Sequence, residues 1–446
     1  MPPPPPGPQA PLLGDFETLP HKTTQNLKSK IMARPMPPKT PRPTPAPRVP
    51  SPLMTRIVNE AVDTQELNAR ITEIVADGTP LIEQAYYDDG TANENERIVT
   101  FLYQHATAEQ VLIFVNRLTD EKNLPLSLME RIPGTDWWEL SFQMRTDWRA
   151  SYNFIPTLPG ERPIWLGEDD QVTLRTALDS GEGDPLNPKT VCNRIGRCMG
   201  VVELADAPVH EFLLTQQELD SLPEPRWMST ADGHQYLLGQ VGNPSPDSPL
   251  FILFDGEVWY GHGMEHMLNR ACAAGRIPDM NVFFLHSGGR ERRWQELNGD
   301  SPIADYIVEE ALPHLRRHHG LRPEPQDIII NGQSLGGLSS LLAVFSRPES
   351  FGAAIAQSSS LWQPQVFDKL SQLREANELH RLSHLHLEVE VGEQEWILLP
   401  PHQRFVQELE SVDTRLNYTV FNGGHDYACW RGAIIPALNR ILMPNP

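Results

Sequence analysis

The stretch Asp327-Ile328-Ile329-Ile330-Asn331-Gly332-Gln333-Ser334-Leu335-Gly336-Gly337-Leu338-Ser339-Ser340 decides the fold of this 446-residue chain. A short apolar run, Ile328, Ile329 and Ile330, leads into Gly332-Gln333-Ser334-Leu335-Gly336, and residues 337–343 continue in a composition that suits a helix. Strand, G-x-S-x-G turn and helix, in that order, make a nucleophile elbow, a strained turn that holds a serine Oγ clear of a sheet. Its two glycines fall where a Cβ would strike the neighbouring strand or helix. Behind Ser334 the helix N-terminus offers free N–H groups and its positive dipole end to an oxyanion. A bare G-x-S-x-G also arises by chance; the strand before it and the helix after it make the nucleophile the stronger reading of Ser334.

Around the elbow, from about Trp227 onward, strands alternate with helices. Strands are expected over 235–240, 250–254, 281–286, 327–330, 353–356, 385–391 and 417–421, and helices over 263–273, 303–317, 335–345, 366–376, 402–409 and 430–441. That alternation implies a mostly parallel sheet with helices on both faces, an α/β-hydrolase fold over residues 227–446. Residues 53–156 read differently. After a helix capped near Asp63, short β-rich runs over 98–103, 111–116, 126–132, 137–143 and 151–155 alternate with polar turns, the pattern of a β-sandwich. Its aromatics Trp137, Trp138, Trp148 and Tyr152 suit core packing first and a ligand platform second. Residues 157–226, rich in Pro, Gly and Asp, read as an irregular connection between domains. Residues 1–52 form a proline-rich, basic leader expected to be disordered or polyproline-like.

A serine hydroxyl needs a base to take its proton. The chain order of such enzymes is Ser, acid, His, which points to His425 in Asn422-Gly423-Gly424-His425-Asp426, just past the last expected strand. The acid should follow the strand before that one, where Gly392-Glu393-Gln394-Glu395 offers Glu395 first and Glu393 second. Asp426 adjoins the base and is the weaker candidate. An oxyanion hole needs two N–H donors. Leu335 N–H is one, and Gly256, in Phe254-Asp255-Gly256-Glu257, is the best candidate for the other. This chemistry requires neither a metal nor an organic cofactor.

Composition narrows the partners. A formal net charge of −21 argues against nucleic-acid binding through a general basic surface. No run of about 18 apolar residues exists to span a membrane, and the N-terminus lacks the apolar core of a secretory signal, so a cytoplasmic protein is expected. The four cysteines, Cys192, Cys198, Cys272 and Cys429, form no C-x-x-C motif and read as reduced thiols.

These residues resemble the enterochelin (ferric enterobactin) esterase family. Gly332-Gln333-Ser334-Leu335-Gly336-Gly337-Leu338-Ser339 fits its nucleophile motif, and Gly423-Gly424-His425-Asp426 with Cys429-Trp430-Arg431-Gly432 fits its histidine motif. Leu253-Phe254-Asp255-Gly256-Glu257-Val258-Trp259 and Arg293-Trp294-Gln295-Glu296-Leu297 are similar to two further segments. In the N-terminal part, Arg131-Ile132-Pro133-Gly134-Thr135, Asp147-Trp148-Arg149-Ala150-Ser151-Tyr152 and Asp184-Pro185-Leu186-Asn187-Pro188 also match. The likeness runs from about Met54 to the C-terminus. It departs at Gln363 and Trp396, where the family often has Trp and Pro. The resemblance implies a cytoplasmic serine esterase acting on the trilactone of a small-molecule ferric catecholate siderophore, with iron present only as part of the substrate. It also implies a β-sandwich that helps form the cleft, and some members work with a Ser–His dyad. Of Arg290, Arg292 and Arg293, in a loop after an expected strand, Arg293 is the expected ligand for the anionic complex, with Arg149 facing it and Trp362 and Trp259 as aromatic contacts. The competing readings are a feruloyl or acetyl-type carboxylesterase with a carbohydrate-binding sandwich, and a non-catalytic siderophore-binding protein.

Overall fold

Eight strands build the N-terminal part: β1 Leu81–Tyr86, β2 Ala92–Gln104, β3 Gln110–Val115, β4 Glu130–Arg131, β5 Trp137–Arg145, β6 Arg149–Thr157, β7 Thr190–Cys192 and β8 Cys198–Glu203. The computed structural model describes residues 37–166, 171–300 and 303–443, and all of its helices and strands belong to the unit Lys39–Pro446. The sandwich consists of two four-stranded sheets, ordered β1-β2-β5-β4 and β3-β6-β8-β7. Successive side chains on a strand alternate faces, so Val99, Phe101 and Tyr103 of β2 meet Val111, Ile113 and Val115 of β3 and Tyr152 and Phe154 of β6 in one core. Trp138 and Trp148 join that core, and Trp137 packs on Met54, Ile57, Leu67 and Ile71 of two helices, Pro52–Glu60 and Thr64–Ile74. These aromatics pack the fold and leave no platform for a ligand.

Three expectations fail here. Residues 126–132 form a helical turn at Leu124–Ser127 and the two-residue β4, not one strand. The stretch 157–226 is not an irregular connection. It supplies β7 and β8, which complete the second sheet, and the helix Gln171–Asp179, whose Leu174 and Leu178 cover Leu112, Phe114 and Ile155. Strand β3 is apolar on both faces and so needs that second cover. Cys192 and Cys198 face each other across the β7–β8 hairpin and are joined by a disulfide, whereas Cys272 and Cys429 are free. Hairpin register, not the count of cysteines, brings the two sulfurs together.

The first 36 residues of the expected leader lie outside the described residues. The remainder does not behave as a solvated tail: Val49 N–H donates to Ser141 O at 3.2 Å, and Gln143 N–H donates to Pro47 O at 2.9 Å. Proline lacks a donor but keeps its carbonyl, so a proline-rich strand can still be received on a sheet edge. Ser51 then caps the helix Pro52–Glu60.

The C-terminal part holds β9 Met228–Ser229, β10 Gln235–Val241, β11 Leu250–Leu253, β12 Met280–Leu285, β13 Ile328–Gln333, β14 Ala353–Gln357, β15 His386–Gly392 and β16 Arg415–Phe421 in one sheet. Its order is β16-β15-β14-β13-β11-β12-β10-β9. From β16 to β12 the neighbours run parallel; β10 is antiparallel to β12 and β9 to β10. Parallel strands buried on both faces read as continuous apolar runs, and all six residues of β13 are buried. Ile328 and Ile330 pack under Leu338, Leu341 and Phe345 of the helix Leu335–Ser346, while Ile329 faces Trp259, Ile434 and Leu438 on the opposite side. The strand order reverses between β11 and β13. Ligands of open α/β sheets bind at the carboxyl ends of strands at such a reversal. Residues 290–297 form a helix instead of a loop, and Arg292 and Glu296 pair one turn apart on it. No described helix is long and apolar enough to cross a membrane.

Candidate active site

Ser334 directly follows β13 and precedes the helix Leu335–Ser346, at φ 59° and ψ −116°. A non-glycine residue there carries strain of about 1–3 kcal/mol, which the surrounding structure must hold. The glycines make the turn possible: a Cβ on Gly332 would collide with the Gly336 backbone, and one on Gly337 would lie 2.5 Å from Ser359 Oγ. Of the five non-glycine residues at positive φ among the described residues, four surround this site: Arg117, Asp255, Ser334 and Ser358.

Glu395 and His425 meet directly. Glu395 Oε1 lies 2.6 Å from His425 Nδ1, and the Glu395 side chain has no exposed surface. Its second oxygen accepts from Ser358 Oγ at 2.6 Å and from Gly392 N–H at 2.8 Å. Burial alone would raise the Glu395 pKa, but the His425 ring and the Arg117 charge outweigh it and hold the carboxyl below its ordinary range. An ionised carboxylate only accepts, so Nδ1 carries the proton and Nε2 is left bare. Burial also lowers the pKa of His425, against the opposing pull of Glu395, and keeps the ring neutral. The Trp430 ring stands edge-on to His425 at 4.8 Å, and its Nε1 donates to Ser358 Oγ at 3.0 Å. Glu393, the alternative acid, is a surface residue paired with Arg145 at 2.7 Å. Asp426 accepts Ala428 N–H at the start of the helix Tyr427–Leu442 and Ser151 N–H of the sandwich at 2.6 Å. It therefore docks β6 on the histidine loop.

Between Ser334 and His425 there is no direct hydrogen bond. Ser334 Oγ instead lies 3.4 Å from Ser360 Oγ. Catalytic hydrogen bonds without substrate are often long and tighten in the complex. Leu335 and Gly256 each begin a helix, at the carboxyl ends of β13 and β11, where a backbone N–H has no intrahelical acceptor. The two loops touch, since a Cβ on Gly336 would lie 3.4 Å from Phe254 Cβ. A Cβ on Gly256 would lie 2.6 Å from the Phe284 backbone, so only glycine fits there.

Three expected substrate contacts are engaged elsewhere. Arg293 donates to both oxygens of Asp255, at 2.6 and 2.8 Å. Arg149 is 3% exposed; it donates to Glu203 at 2.6 and 2.8 Å, to Pro208 O and to His210. Trp259 is wholly buried and donates to Gln333 Oε1 at 3.0 Å. An acidic protein offers many carboxylates to a guanidinium, and these lie far away in sequence. Trp362 is partly exposed, two residues past Ser360.

Two further residues reach the site without any signal in the sequence. Arg194, in the β7–β8 hairpin, reaches Asp255 at 2.5 Å. Arg117 lies against the histidine loop, where a Cβ on Gly424 would fall 2.7 Å from Arg117 Cβ. Its guanidinium lies 5.9 Å from the centre of the Trp396 ring, and its Nε is buried with no hydrogen-bond partner. Burial pulls its pKa below the ordinary value, with Glu395 and Glu121 opposing. No spacing marks either residue in advance. Among the described residues no cluster of three or more His, Cys, Asp or Glu could hold a metal ion.

Two family models match, "Enterochelin esterase, N-terminal" over residues 98–213 and "Putative esterase" over residues 235–441. The chain is 26% identical over 405 residues to the iron(III) enterobactin esterase of Dickeya dadantii, covering 82% of this chain and 90% of that protein. It is 28% identical over 363 residues to the iron(III) salmochelin esterase of Escherichia coli O6:H1, covering 77% and 87%. The crystal structure of ferric enterobactin esterase from Salmonella typhimurium superposes with a TM-score of 0.67 at 24% identity, covering 82% of this chain and 97% of that one. An elbow serine, a Glu–His pair behind it and a sandwich docked on the histidine loop thus occur in a chain matched over both parts by esterase models, and the protein is an ester hydrolase of the enterochelin esterase family.

Proposed function

We propose that this enzyme hydrolyses the trilactone esters of iron-loaded catecholate siderophores such as ferric enterobactin, with Ser334 as nucleophile, His425 as base and Glu395 as the acid that orients it. Two things support this reading: the Glu395–His425 contact at 2.6 Å and the names of the relatives, which are iron(III) enterobactin and salmochelin esterases. His425 Nε2 takes the proton from Ser334 Oγ as the oxygen attacks the ester carbonyl carbon. The carbonyl oxygen becomes an oxyanion, facing Leu335 N–H and Gly256 N–H. The C–O bond to the leaving seryl alkoxide then breaks, and His425 returns the proton to that oxygen. Water, deprotonated by the same nitrogen, attacks the acyl-Ser334 carbonyl and releases the acid. Iron enters only with the substrate, and the cytoplasm is the compartment we assign to the reaction.

Recognition of the anionic complex needs a cation that is not already held by a carboxylate. Arg293 and Arg149 are so held, and we assign this task to Arg117, with the partly exposed Trp362 as an aromatic contact. The sandwich and hydrolase parts act as one site in this reading, divided as residues 53–156 with β7–β8 and residues 227–446. Mass spectrometry after incubation with ferric enterobactin tests it. Dihydroxybenzoyl-serine monomer, dimer or trimer is expected with wild type and is lost with Ser334→Ala. Intact siderophore in both, with p-nitrophenyl acetate still cleaved by wild type, would reassign the substrate.

A further inference from the structure

We propose that Arg194 is a positioning residue for ester hydrolysis, carried on a disulfide-closed hairpin of the sandwich and fixing the two catalytic loops of the hydrolase part against each other. The inference rests on the roles proposed for Gly256 N–H and His425.

The hairpin is built to present this side chain. Cys192 and Cys198 pair across β7 and β8 and are bonded, closing a loop over residues 193–197. Inside it Asn193 Oδ1 accepts the N–H groups of Ile195 at 3.1 Å and Arg197 at 3.0 Å, so the loop is ordered by its own first residue. Asn193 Nδ2 also donates to Asp179 O at 2.8 Å, which anchors the tip to the helix Gln171–Asp179. Arg194 follows directly and leaves the sandwich for the other part of the chain.

Its guanidinium ends on two catalytic loops at once. Nη1 donates to Asp255 Oδ1 at 2.5 Å and Nη2 to Asp255 Oδ2 at 3.1 Å. Nη2 also donates to Tyr427 OH at 3.0 Å. Asp255 immediately precedes Gly256, sits at φ 55° and has a side chain with no exposed surface. Tyr427 lies two residues past His425. One side chain therefore joins the loop that offers an oxyanion donor to the loop that carries the base. Arg293 grips the same carboxylate from the other side and lies 3.4 Å from Gln333 O, one residue before Ser334. Burial alone would raise the Asp255 pKa, and the two guanidinium groups outweigh it, so the carboxylate stays ionised where it could not stand alone. With Arg194 gone, Arg293 still neutralises Asp255 and the fold can persist. What is lost is the link to Tyr427 and the second anchor of a backbone held at positive φ. An N–H donor misplaced by a fraction of an ångström stabilises the oxyanion less, while ground-state binding is untouched.

The test uses Arg194→Ala and Arg194→Lys in the full chain, assayed on p-nitrophenyl acetate and on ferric enterobactin. Removing an oxyanion donor outright costs about 10²–10³ in kcat; displacing one should cost Arg194→Ala on the order of 10–100-fold, by the same factor on both esters and with KM unchanged. The Arg194 side chain is 33% exposed, so free guanidinium ion in the buffer should restore part of the rate to Arg194→Ala and none to wild type. Arg194→Lys should be intermediate. Unchanged kcat in folded Arg194→Ala, or a loss confined to KM for the ferric complex, would overturn the proposal. If Arg194→Ala does not fold, the Cys192→Ser/Cys198→Ser variant keeps the arginine but frees the hairpin. A fall in kcat on both esters is expected there too, and an unchanged kcat overturns the proposal equally. Failure of wild type to cleave the ferric siderophore would instead count against the substrate assignment, because p-nitrophenyl acetate still reports the positioning effect.

Discussion

Glu395 Oε1 accepts a hydrogen bond from His425 Nδ1 at 2.6 Å, and the other oxygen of the same carboxylate is held by Ser358 Oγ and Gly392 N–H. Three donors on one buried carboxylate fix its plane, and through it the direction of the imidazole. Glu395→Gln keeps the shape but can turn an N–H₂ toward Nδ1, which favours the wrong tautomer. Losses of about 10⁴ in kcat follow such a change in a serine triad; a fall of at least about 10²-fold with KM little changed is expected here. Glu393→Gln should leave kcat as it is, since that residue pairs with Arg145 on the surface. Equal losses in the two variants would break the assignment.

The pH dependence follows from the same pair. His425 acts as a base only when neutral, and burial moves its pKa below the ordinary 6.5 in spite of Glu395. As pH falls, the neutral fraction therefore persists through 6.5 and is lost only below it. The acid limb of kcat/KM on a neutral ester should lie below pH 6.5. In Glu395→Gln the opposing pull of the carboxylate is gone, so the limb should move further down while the plateau drops. A limb above pH 6.5 would mean that a different group limits the reaction.

Much of this site is legible in the sequence because each group proposed for catalysis follows a strand closely. Ser334 comes one residue after β13, Glu395 three residues after β15 and His425 four residues after β16, so an apolar run and a glycine mark each place. The arginines are a different case. A guanidinium needs an anion, but its sequence does not say which one, and Arg293 finds its partner 38 residues away, Arg149 54 away and Arg194 61 away. Trp259 and Gln333 are 74 residues apart. Such pairings are set by strand order, which periodicity cannot supply. The disulfide is hidden for the same reason, since it depends on the register of a hairpin within a stretch that reads as loop.

Arg293 and Arg117 should separate by kinetics. Arg293→Ala takes one of two cations from buried Asp255. Breaking a buried pair costs about 3–5 kcal/mol when no partner remains, and Arg194 reduces that loss. The expected result is a lower melting temperature and a lower kcat on p-nitrophenyl acetate and ferric enterobactin alike. Arg117→Ala should raise KM for the anionic ferric complex and leave the small neutral ester nearly unaffected. The comparison is read as a ratio of kcat/KM values on the two substrates, and a larger ratio change for Arg293→Ala than for Arg117→Ala would reverse the roles.

The segment before the helix Pro52–Glu60 reaches the loop that carries Glu395. Arg42 N–H donates to Asp120 Oδ2 at 3.2 Å, its Nη1 to Arg117 O at 2.7 Å and its Nη2 to Gln394 Oε1 at 2.6 Å. Trp396 Nε1 donates to Thr40 O at 3.1 Å. Gln394 and Trp396 are the two neighbours of Glu395, so this strap holds the acid loop from both sides while bracing the backbone of Arg117. Hydrogen bonds to charged groups contribute about 1.5–3 kcal/mol each when well made, and less where water competes. A chain beginning at residue 51 should therefore melt at a lower temperature than one beginning at residue 37. It should also show a lower kcat on both esters, because Glu395 loses its lateral support. Arg42→Ala should reproduce the kcat loss in part without removing the backbone bonds of Pro47 and Val49. Identical melting temperature and kcat in the two truncations would show that the strap is carried along by the fold and contributes nothing to the acid loop.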